Sequence, residues 1–147
     1  MDRNIGFKER RYIEELRILT KATALDCIID EKFERVIYII RPGDMGFAIG
    51  KKGENIRRMQ NVLGKRIEMV EYSEDRDEFI ANIFRPVSIS RVEKDPVSGL
   101  LTISLRKRSE LGTAIGKKGA NIEKARLLIR KFWGEEIGEL MVLEEDA

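Results

Sequence analysis

Two identical tetrapeptides, Gly-Lys-Lys-Gly at residues 50–53 and 116–119, contain the residues of this chain best suited to chemistry. Glycine at both ends allows positive φ angles, and the missing side chains let a ligand come close to the main chain. The lysines between them add cations on flexible stems. If a helix begins directly after each tetrapeptide, its free N–H groups and the positive end of its dipole also favour an anion. The tetrapeptides therefore predict binding of phosphate groups, such as those of a sugar-phosphate backbone.

Both tetrapeptides belong to a longer internal repeat. Residues 46–56 match residues 112–122 at nine of eleven positions, at an offset of 66 residues. A single Gly-x-x-Gly is typical of an ordinary turn between helices, but its repetition in the same context favours contact with phosphate. The spacing is not that of a nucleotide-binding P-loop, because Lys51 is followed by lysine rather than by serine or threonine. The period exceeds that of solenoid repeats, so we expect two small domains, residues 1–73 and 74–147.

The charge of the chain is concentrated around the repeat. The whole chain carries 28 Lys and Arg against 26 Asp and Glu, which gives a net charge of +2. Residues 41–68 carry +4, residues 106–131 carry +7, and the remainder carries −9. The average therefore conceals two basic islands in an acidic protein. This distribution favours a polyanion as the partner of the repeated segments.

The residues that the chain lacks exclude several classes of function. There is no histidine, which removes catalysis and metal binding by imidazole. Cys27 is the single cysteine and lies among apolar residues, so we expect a reduced, structural thiol. No apolar stretch approaches the roughly 20 residues of a membrane span. We therefore expect a cytoplasmic monomer that is not an enzyme, binds no cofactor and no metal, and has no membrane partner.

Hydrophobic periodicity predicts the same order of elements in both halves: helix, strand, strand, short helix, helix, strand. Asp44 is the expected N-cap of the first short helix, and Asp75 and Glu78 form a capping-box pattern at the start of the second half. The fold class is therefore α+β, with a three-stranded sheet packed on helices in each half. The expected elements span residues 8–22, 27–30, 36–40, 44–49, 54–63 and 67–72, then 75–84, 87–92, 100–105, 110–115, 120–133 and 137–143.

Residues 49–56 and 115–122 resemble the signature of KH domains, whose GXXG loop clamps about four backbone nucleotides. The predicted order of elements is that of the type II KH fold. The tandem of residues 43–56, the linker at 70–75 and the second loop is similar to the archaeal NusA-like transcription factors. This resemblance implies that single-stranded RNA, nascent or ribosomal, is the partner, together with RNA polymerase or the transcription complex. It also implies a role in elongation, termination or antitermination.

The candidate RNA-binding residues follow from the two copies of the motif. In the first copy they are Gly50, Lys51, Lys52, Gly53, Asn55, Arg57 and Arg58, and in the second Gly116, Lys117, Lys118, Gly119, Asn121 and Lys124. The cations on the following helices are either a solvated face or a part of the backbone contact. The isoleucines beside the loops are core residues, and one edge of them is expected to floor a groove: Ile49, Ile56, Ile115 and Ile122.

Two other roles remain open on the same fold. One is a factor in ribosomal RNA processing or ribosome assembly. The other is a protein-interaction scaffold that no longer binds RNA, against which the intact lysine pairs argue.

Phe47 of the first copy is replaced by Thr113 in the second, so no aromatic residue is shared by both motifs. We therefore expect electrostatics and groove fit to supply most of the affinity.

Overall fold

The chain is described by a computed structural model over residues 5–143, and its fold is α+β. The first half contains α1 (Phe7–Thr20), β1 (Ala24–Asp30), β2 (Arg35–Ile40), α2 (Met45–Ile49), α3 (Glu54–Leu63) and β3 (Arg66–Glu71). The second half contains α4 (Arg76–Phe84), β4 (Ile89–Lys94), β5 (Leu101–Leu105), α5 (Leu111–Ile115), α6 (Ala120–Trp133) and β6 (Ile137–Val142). The predicted order of elements and the fold class are confirmed.

The differences from the sequence prediction lie at the ends of elements. Helix α1 stops at Thr20 rather than at Ala22, because Lys21 adopts the left-handed conformation with φ of 69°. Strand β1 begins three residues early, since Ala24 pairs with Ile40 at the end of β2. Strand β4 begins two residues late, at Ile89. In each case the boundary depends on pairing or backbone conformation, which side-chain periodicity does not report.

Both sheets have the same topology. Their strand orders are β1-β2-β3 and β4-β5-β6, with the first pair antiparallel and the second pair parallel. A parallel pair needs a crossover connection, and in each sheet this connection is the helix pair that contains a Gly-Lys-Lys-Gly loop. Since Arg66 at the start of β3 lies opposite Arg35 at the start of β2, the chain returns along α3 to the far end of the sheet. The loops therefore follow the carboxyl ends of β2 and β5.

Each sheet buries apolar residues against its helices. In the first sheet, Val36, Tyr38 and Ile40 of β2 belong to a core cluster with residues of α1, α2 and α3, and the Tyr38 hydroxyl donates a 2.8 Å hydrogen bond to the Tyr12 carbonyl. In the second half the rings of α4 and α6 pack together, with the Phe79 centroid 5.6 Å from that of Phe132. These packed helices hold the ends of α3 and α6 in place.

Contacts divide the chain into two compact units, Met1–Tyr72 and Ser73–Ala147. We refer to them as unit 1 and unit 2. The cut falls beside the predicted division into residues 1–73 and 74–147. That division stays a proposal about independently folding domains, because compactness alone does not show that either half folds by itself.

Candidate nucleic-acid interface

The two Gly-Lys-Lys-Gly loops have the same backbone geometry. Gly50 has φ 76° and ψ 170°, and Gly116 has φ 80° and ψ 167°, a region open essentially to glycine alone. The N–H of Gly50 donates to the Gly46 carbonyl at 2.9 Å, and the N–H of Gly53 donates to the Gly50 carbonyl at 3.1 Å. The corresponding distances in the second loop are also 2.9 and 3.1 Å. The sequence repeat is therefore a repeat of conformation.

The second lysine of each loop has a left-handed backbone, with φ of 54° at Lys52 and 56° at Lys118. For a residue other than glycine this conformation costs roughly 1–2 kcal/mol. It persists only where the surrounding structure determines it. The side chains of both lysine pairs are exposed. Each loop thus presents two cations from a backbone that its own contacts hold in a strained turn.

Those contacts come largely from an asparagine at the start of the next helix. The Asn55 side-chain nitrogen donates to the Phe47 carbonyl at 2.7 Å, and the Asn121 nitrogen donates to the Ala114 carbonyl at 3.0 Å. Each amide therefore ties the short helix before the loop to the helix after it. The structure gives these asparagines a bracing role, and their RNA contact stays a prediction.

The first and second glycines of each loop have different surroundings. A Cβ on Gly50 would lie 2.7 Å from the Asn55 side chain, and one on Gly116 would lie 2.6 Å from the Asn121 backbone nitrogen. The first glycine is therefore required by the protein itself. A Cβ on Gly119 would meet nothing closer than 3.9 Å, whereas one on Gly53 would lie 3.1 Å from Arg57 Nη1. The second glycine thus lies on an open face, which in unit 1 is bordered by the Arg57 guanidinium. This open face is where a ligand can approach the main chain.

Helices α3 and α6 begin at these open glycines. Gly53 and Gly119 are their N-cap residues, and no side chain caps either helix. The uncapped N–H groups and the positive end of the helix dipole are therefore available to an anion beside the lysines. Helix start, open glycine and exposed lysines together form the candidate phosphate site in each unit.

Cations of the following helices differ between the units. Arg57 is exposed, and its Nη1 donates to the Lys52 carbonyl at 2.6 Å, which places the guanidinium against the first loop. Arg58 is also exposed and pairs with Glu54 at 3.4 Å. Lys124, at the position of Arg58 in the repeat, is only 9% exposed. The structure does not bring Lys124 to the loop surface, because its helix buries that position beside Ala125 and Leu128.

The four isoleucines that were expected to floor a groove fall into two pairs, one at the exposed edge of the loops and one in the core. Ile49 and Ile115 directly precede the loops and are 37% and 38% exposed. Ile56 is half-buried and packs against the core of unit 1, and Ile122 is buried. The isoleucine before each loop is therefore the one that offers an apolar floor beside the glycines.

The position before each short helix holds an acidic tether that sequence reasoning missed. Asp44 does not cap α2 with its side chain. Its carboxylate instead accepts the N–H of Thr23 at 2.8 Å and lies 3.1 Å from Arg41. The Thr23 N–H, with help from Arg41, holds the pKa of Asp44 below its usual value. Glu110 accepts the N–H of Ser88 at 3.4 Å in the equivalent place. The sequence signal that could have revealed these tethers is an acidic residue at the same position of both repeats.

Two other kinds of site are absent from the part of the chain that the structure describes. Within residues 5–143, no helix is long and apolar enough to cross a membrane. In that range no three His, Cys, Asp or Glu side chains come together in a way that could hold a metal ion. The two Gly-Lys-Lys-Gly loops therefore remain the best candidate site among the described residues.

Comparison with known proteins gives a family match and close relatives. The model of the KH domain family matches residues 9–95. A protein of Methanocaldococcus jannaschii called "Probable transcription termination protein NusA" is 35% identical, over 97% of this chain and 72% of its own length. A protein of Halococcus morrhuae with the same name is 31% identical, over 82% of this chain and 86% of its own length. The crystal structure of APE1850 superimposes with a TM-score of 0.78 at 35% identity, over 95% of this chain and all of that one.

Proposed function

The chain belongs to the KH domain family, in the group of archaeal NusA-like proteins, and from that membership we propose that it binds single-stranded RNA through both Gly-Lys-Lys-Gly loops. The proposed role is regulation of transcription elongation, termination or antitermination, on RNA emerging from RNA polymerase. The names of the relatives support the transcriptional role. The geometry of the loops supports the RNA contact.

The observation that carries the proposal is the identical loop conformation in two units whose sequences otherwise differ widely. Each unit keeps a glycine-only backbone at Gly50 or Gly116 and a second glycine three residues later, where an added Cβ would meet only side-chain atoms. Each also keeps an exposed lysine pair and an uncapped helix start. An ordinary turn between helices needs neither the lysines nor the left-handed conformation at Lys52 and Lys118. A backbone clamp uses all of them.

In this mechanism the protein binds without chemistry. Phosphates lie on the open face of Gly53 and Gly119, where helix N–H groups, the helix dipole and the lysine ammonium groups attract negative charge. The bases turn toward the sheet and the exposed edges of Ile49 and Ile115. Because the interaction is mainly electrostatic, binding weakens as salt rises. If each loop neutralises about two phosphates, the plot of log K against log salt has a slope of about −3.

Charge reversal of the loops tests the RNA contact. We expect Lys51→Asp with Lys52→Asp, or Lys117→Asp with Lys118→Asp, to remove about half of the salt slope. The four substitutions together should abolish measurable binding of a single-stranded RNA oligonucleotide, as followed by fluorescence anisotropy. Folding is checked by circular dichroism. Unchanged affinity in a folded fourfold variant would exclude the loops as the binding site.

A matched control changes the charge by the same amount elsewhere in unit 1. Lys32 lies in the turn between β1 and β2, and Lys65 directly precedes β3, so both are at the end of the sheet opposite the loop. We expect Lys32→Asp with Lys65→Asp to leave the salt slope close to that of the parent protein. An equal loss in this control would mean that net charge, and not the loop, determines binding.

The transcriptional role needs an experiment in cells. RNA crosslinked to the protein is sequenced and compared with that crosslinked to the fourfold lysine variant. Crosslinks spread over nascent transcripts support the regulation of transcription. Crosslinks confined to precursor ribosomal RNA would instead place the same RNA-binding surface in ribosome assembly.

A further inference from the structure

The two loops differ at one exposed position of the repeated segment. Within the matching residues 46–56 and 112–122, the two substitutions are Phe47 for Thr113 and Glu54 for Ala120. Phe47 is 57% exposed and lies on α2, the short helix that leads into the first loop. Unit 1 therefore carries an aromatic ring beside its phosphate site, and unit 2 carries a hydroxyl in its place.

The backbone of Phe47 is held on both sides. Since the Gly50 N–H still bonds to the Gly46 carbonyl, helical spacing continues through Gly50, and residues three apart share a helix face. Phe47 is thus on the same face of α2 as the first loop glycine. Its carbonyl also accepts the 2.7 Å hydrogen bond from Asn55 at the start of α3. The ring projects from a fixed point one helical turn before the loop.

Exposure of a single aromatic residue is ordinary on a protein surface and argues nothing by itself. Three further features distinguish Phe47. Over residues 5–143 no other aromatic ring and no cation packs on its ring. The neighbouring Ile49 is 37% exposed and extends the apolar surface up to the loop. Arg57 follows the loop in sequence, and its guanidinium lies against the Lys52 carbonyl, where it adds a third cation to the lysine pair.

Single-stranded RNA exposes base faces that stack on aromatic side chains. We propose that Phe47 stacks on one base of the RNA whose backbone is held at residues 50–53. The first site then stacks on a base as well as holding the backbone, and the second site, with Thr113, has no ring on which a base could stack. This inference rests on the proposed function and assigns the two sites unequal tasks.

The test compares two probes of equal length and charge: a 12-nucleotide oligoadenylate and an abasic ribose-phosphate oligomer. Stacking on one base contributes about 1–3 kcal/mol, so Phe47→Thr should weaken oligoadenylate binding by about tenfold. The same variant should bind the abasic oligomer as the parent protein does. The salt slope should not change, because no phosphate contact is lost.

Two further variants separate stacking from apolar contact and from loop damage. Phe47→Tyr keeps the ring and should bind oligoadenylate within about twofold of the parent. Phe47→Leu keeps an apolar side chain without a ring and should lose nearly as much affinity as Phe47→Thr. Full binding by Phe47→Leu would overturn the proposal. An equal loss on both probes would overturn it as well, since Phe47 would then support only the loop.

The lysine variants described above are measured in the same experiment. If they lose binding while Phe47→Thr keeps the parent affinity for oligoadenylate, the stacking role is wrong and the loop contact stands. If the fourfold lysine variant also binds as the parent does, the proposed function fails together with the inference. Because Phe47 is exposed, the circular dichroism spectrum of each variant should match that of the parent.

Discussion

The loops of unit 1 and unit 2 share a backbone but have different surroundings. The basic island around the second loop has the larger net charge, +7 against +4. The first loop nevertheless has two exposed cations, Arg57 and Arg58, on the turn of helix directly after it. In unit 2 the corresponding residues are Glu123 and the buried Lys124. The repeated motif therefore determines conformation, and the flanking helix face determines what else the site can contact.

The central strands of the two sheets, β2 and β5, also differ. In β2 the residues that alternate with the core cluster are Ile37 and Ile39, and neither has exposed surface. In β5 the residues that alternate with the buried Leu101, Ile103 and Leu105 are Thr102, which is half-buried, and Ser104, which is buried. One sheet is apolar on both faces of its central strand, whereas the other is apolar on one. The shared topology tolerates this change because each loop depends on the helix pair after the strand, not on the second face of the sheet.

The largest effects are expected at the first glycine of each loop. Alanine at Gly50 or Gly116 would occupy a glycine-only conformation, which costs about 1–3 kcal/mol in free energy of unfolding. Gly116→Ala should cost more than Gly50→Ala, because its Cβ would meet the Asn121 backbone at 2.6 Å rather than the Asn55 side chain. Urea denaturation measures both values. Equal losses would mean that backbone strain alone sets the cost.

Gly46→Ala and Gly112→Ala are the matched controls for this comparison. Neither glycine has positive φ, and a Cβ on either would meet nothing within 4 Å. In a helix, alanine is favoured over glycine by roughly 0.5–1 kcal/mol, so both controls should be neutral or stabilising. The double variant Gly50→Ala with Asn55→Ala removes the Asn55 amide atoms at 2.7 and 2.8 Å but keeps the Asn55 Cβ at 2.9 Å. Compared with Asn55→Ala alone, it shows how much of the cost comes from the amide.

Sequence patterns predicted most of this fold because the signals are local. Periodicity gave the helices and strands, and Gly64 and Gly134 end α3 and α6 with left-handed φ. Asp75 accepts the N–H of Glu78, as the capping pattern indicated. The order of elements was predicted in each half from its own pattern, and the two halves agree because both sheets need the same crossover.

The unpredicted features depend on contacts across space. Asp44 is N-terminal to a helix, where capping is the usual role, but its acceptor atoms face the N–H of Thr23, 21 residues away in sequence. Lys124 reads as a surface cation, yet it shares a buried helix face with Leu128. The bracing role of Asn55 requires that α2 fold back beside α3. Each of these positions is decided by the packing of elements whose order alone was predicted.

A smaller effect is expected where the helix cations differ. Arg57→Gln removes a guanidinium from the first loop, so the salt slope of RNA binding should fall by about 0.7 and the affinity by about two- to fivefold. Glu123→Gln, at the same position of unit 2, should change neither, because Glu123 lies 3.8 Å from Arg126 and carries no loop contact in the described hydrogen bonds. Anisotropy titrations at several salt concentrations measure both quantities.

Arg57→Lys is the control that keeps the charge without the planar donor group. It should retain the salt slope of the parent protein, even if the hydrogen bond to the Lys52 carbonyl is weakened. A fall in slope in this variant would show that Arg57 acts by bracing the loop. Equal changes in Arg57→Gln and Glu123→Gln would contradict the inequality of the two helix faces.

The smallest effect at neutral pH is expected at the two acidic tethers. Asn at position 44 can still accept the N–H of Thr23 but carries no charge, so Asp44→Asn should lower neutral stability only by the part that the carboxylate charge contributes. The folded state lowers the pKa of Asp44, chiefly through the Thr23 N–H and then through Arg41. A carboxylate with a lowered pKa stabilises fully above its unfolded value of about 3.9. That stabilisation is lost as the pH falls through the lower, folded value. Asp44→Asn should therefore show a shallower loss of unfolding free energy below about pH 4.

Glu110→Gln in unit 2 is the comparison for this last effect. The hydrogen bond between Glu110 and the Ser88 N–H is longer, at 3.4 Å against 2.8 Å for Asp44 and Thr23. A longer hydrogen bond is weaker, so Glu110→Gln should change the free energy of unfolding at pH 7 less than Asp44→Asn does. Urea denaturation at pH 7 compares the two variants, and a series between pH 3 and pH 7 compares Asp44→Asn with the parent. Parallel pH curves for Asp44→Asn and the parent would mean that the Asp44 tether acts through shape alone and not through its charge.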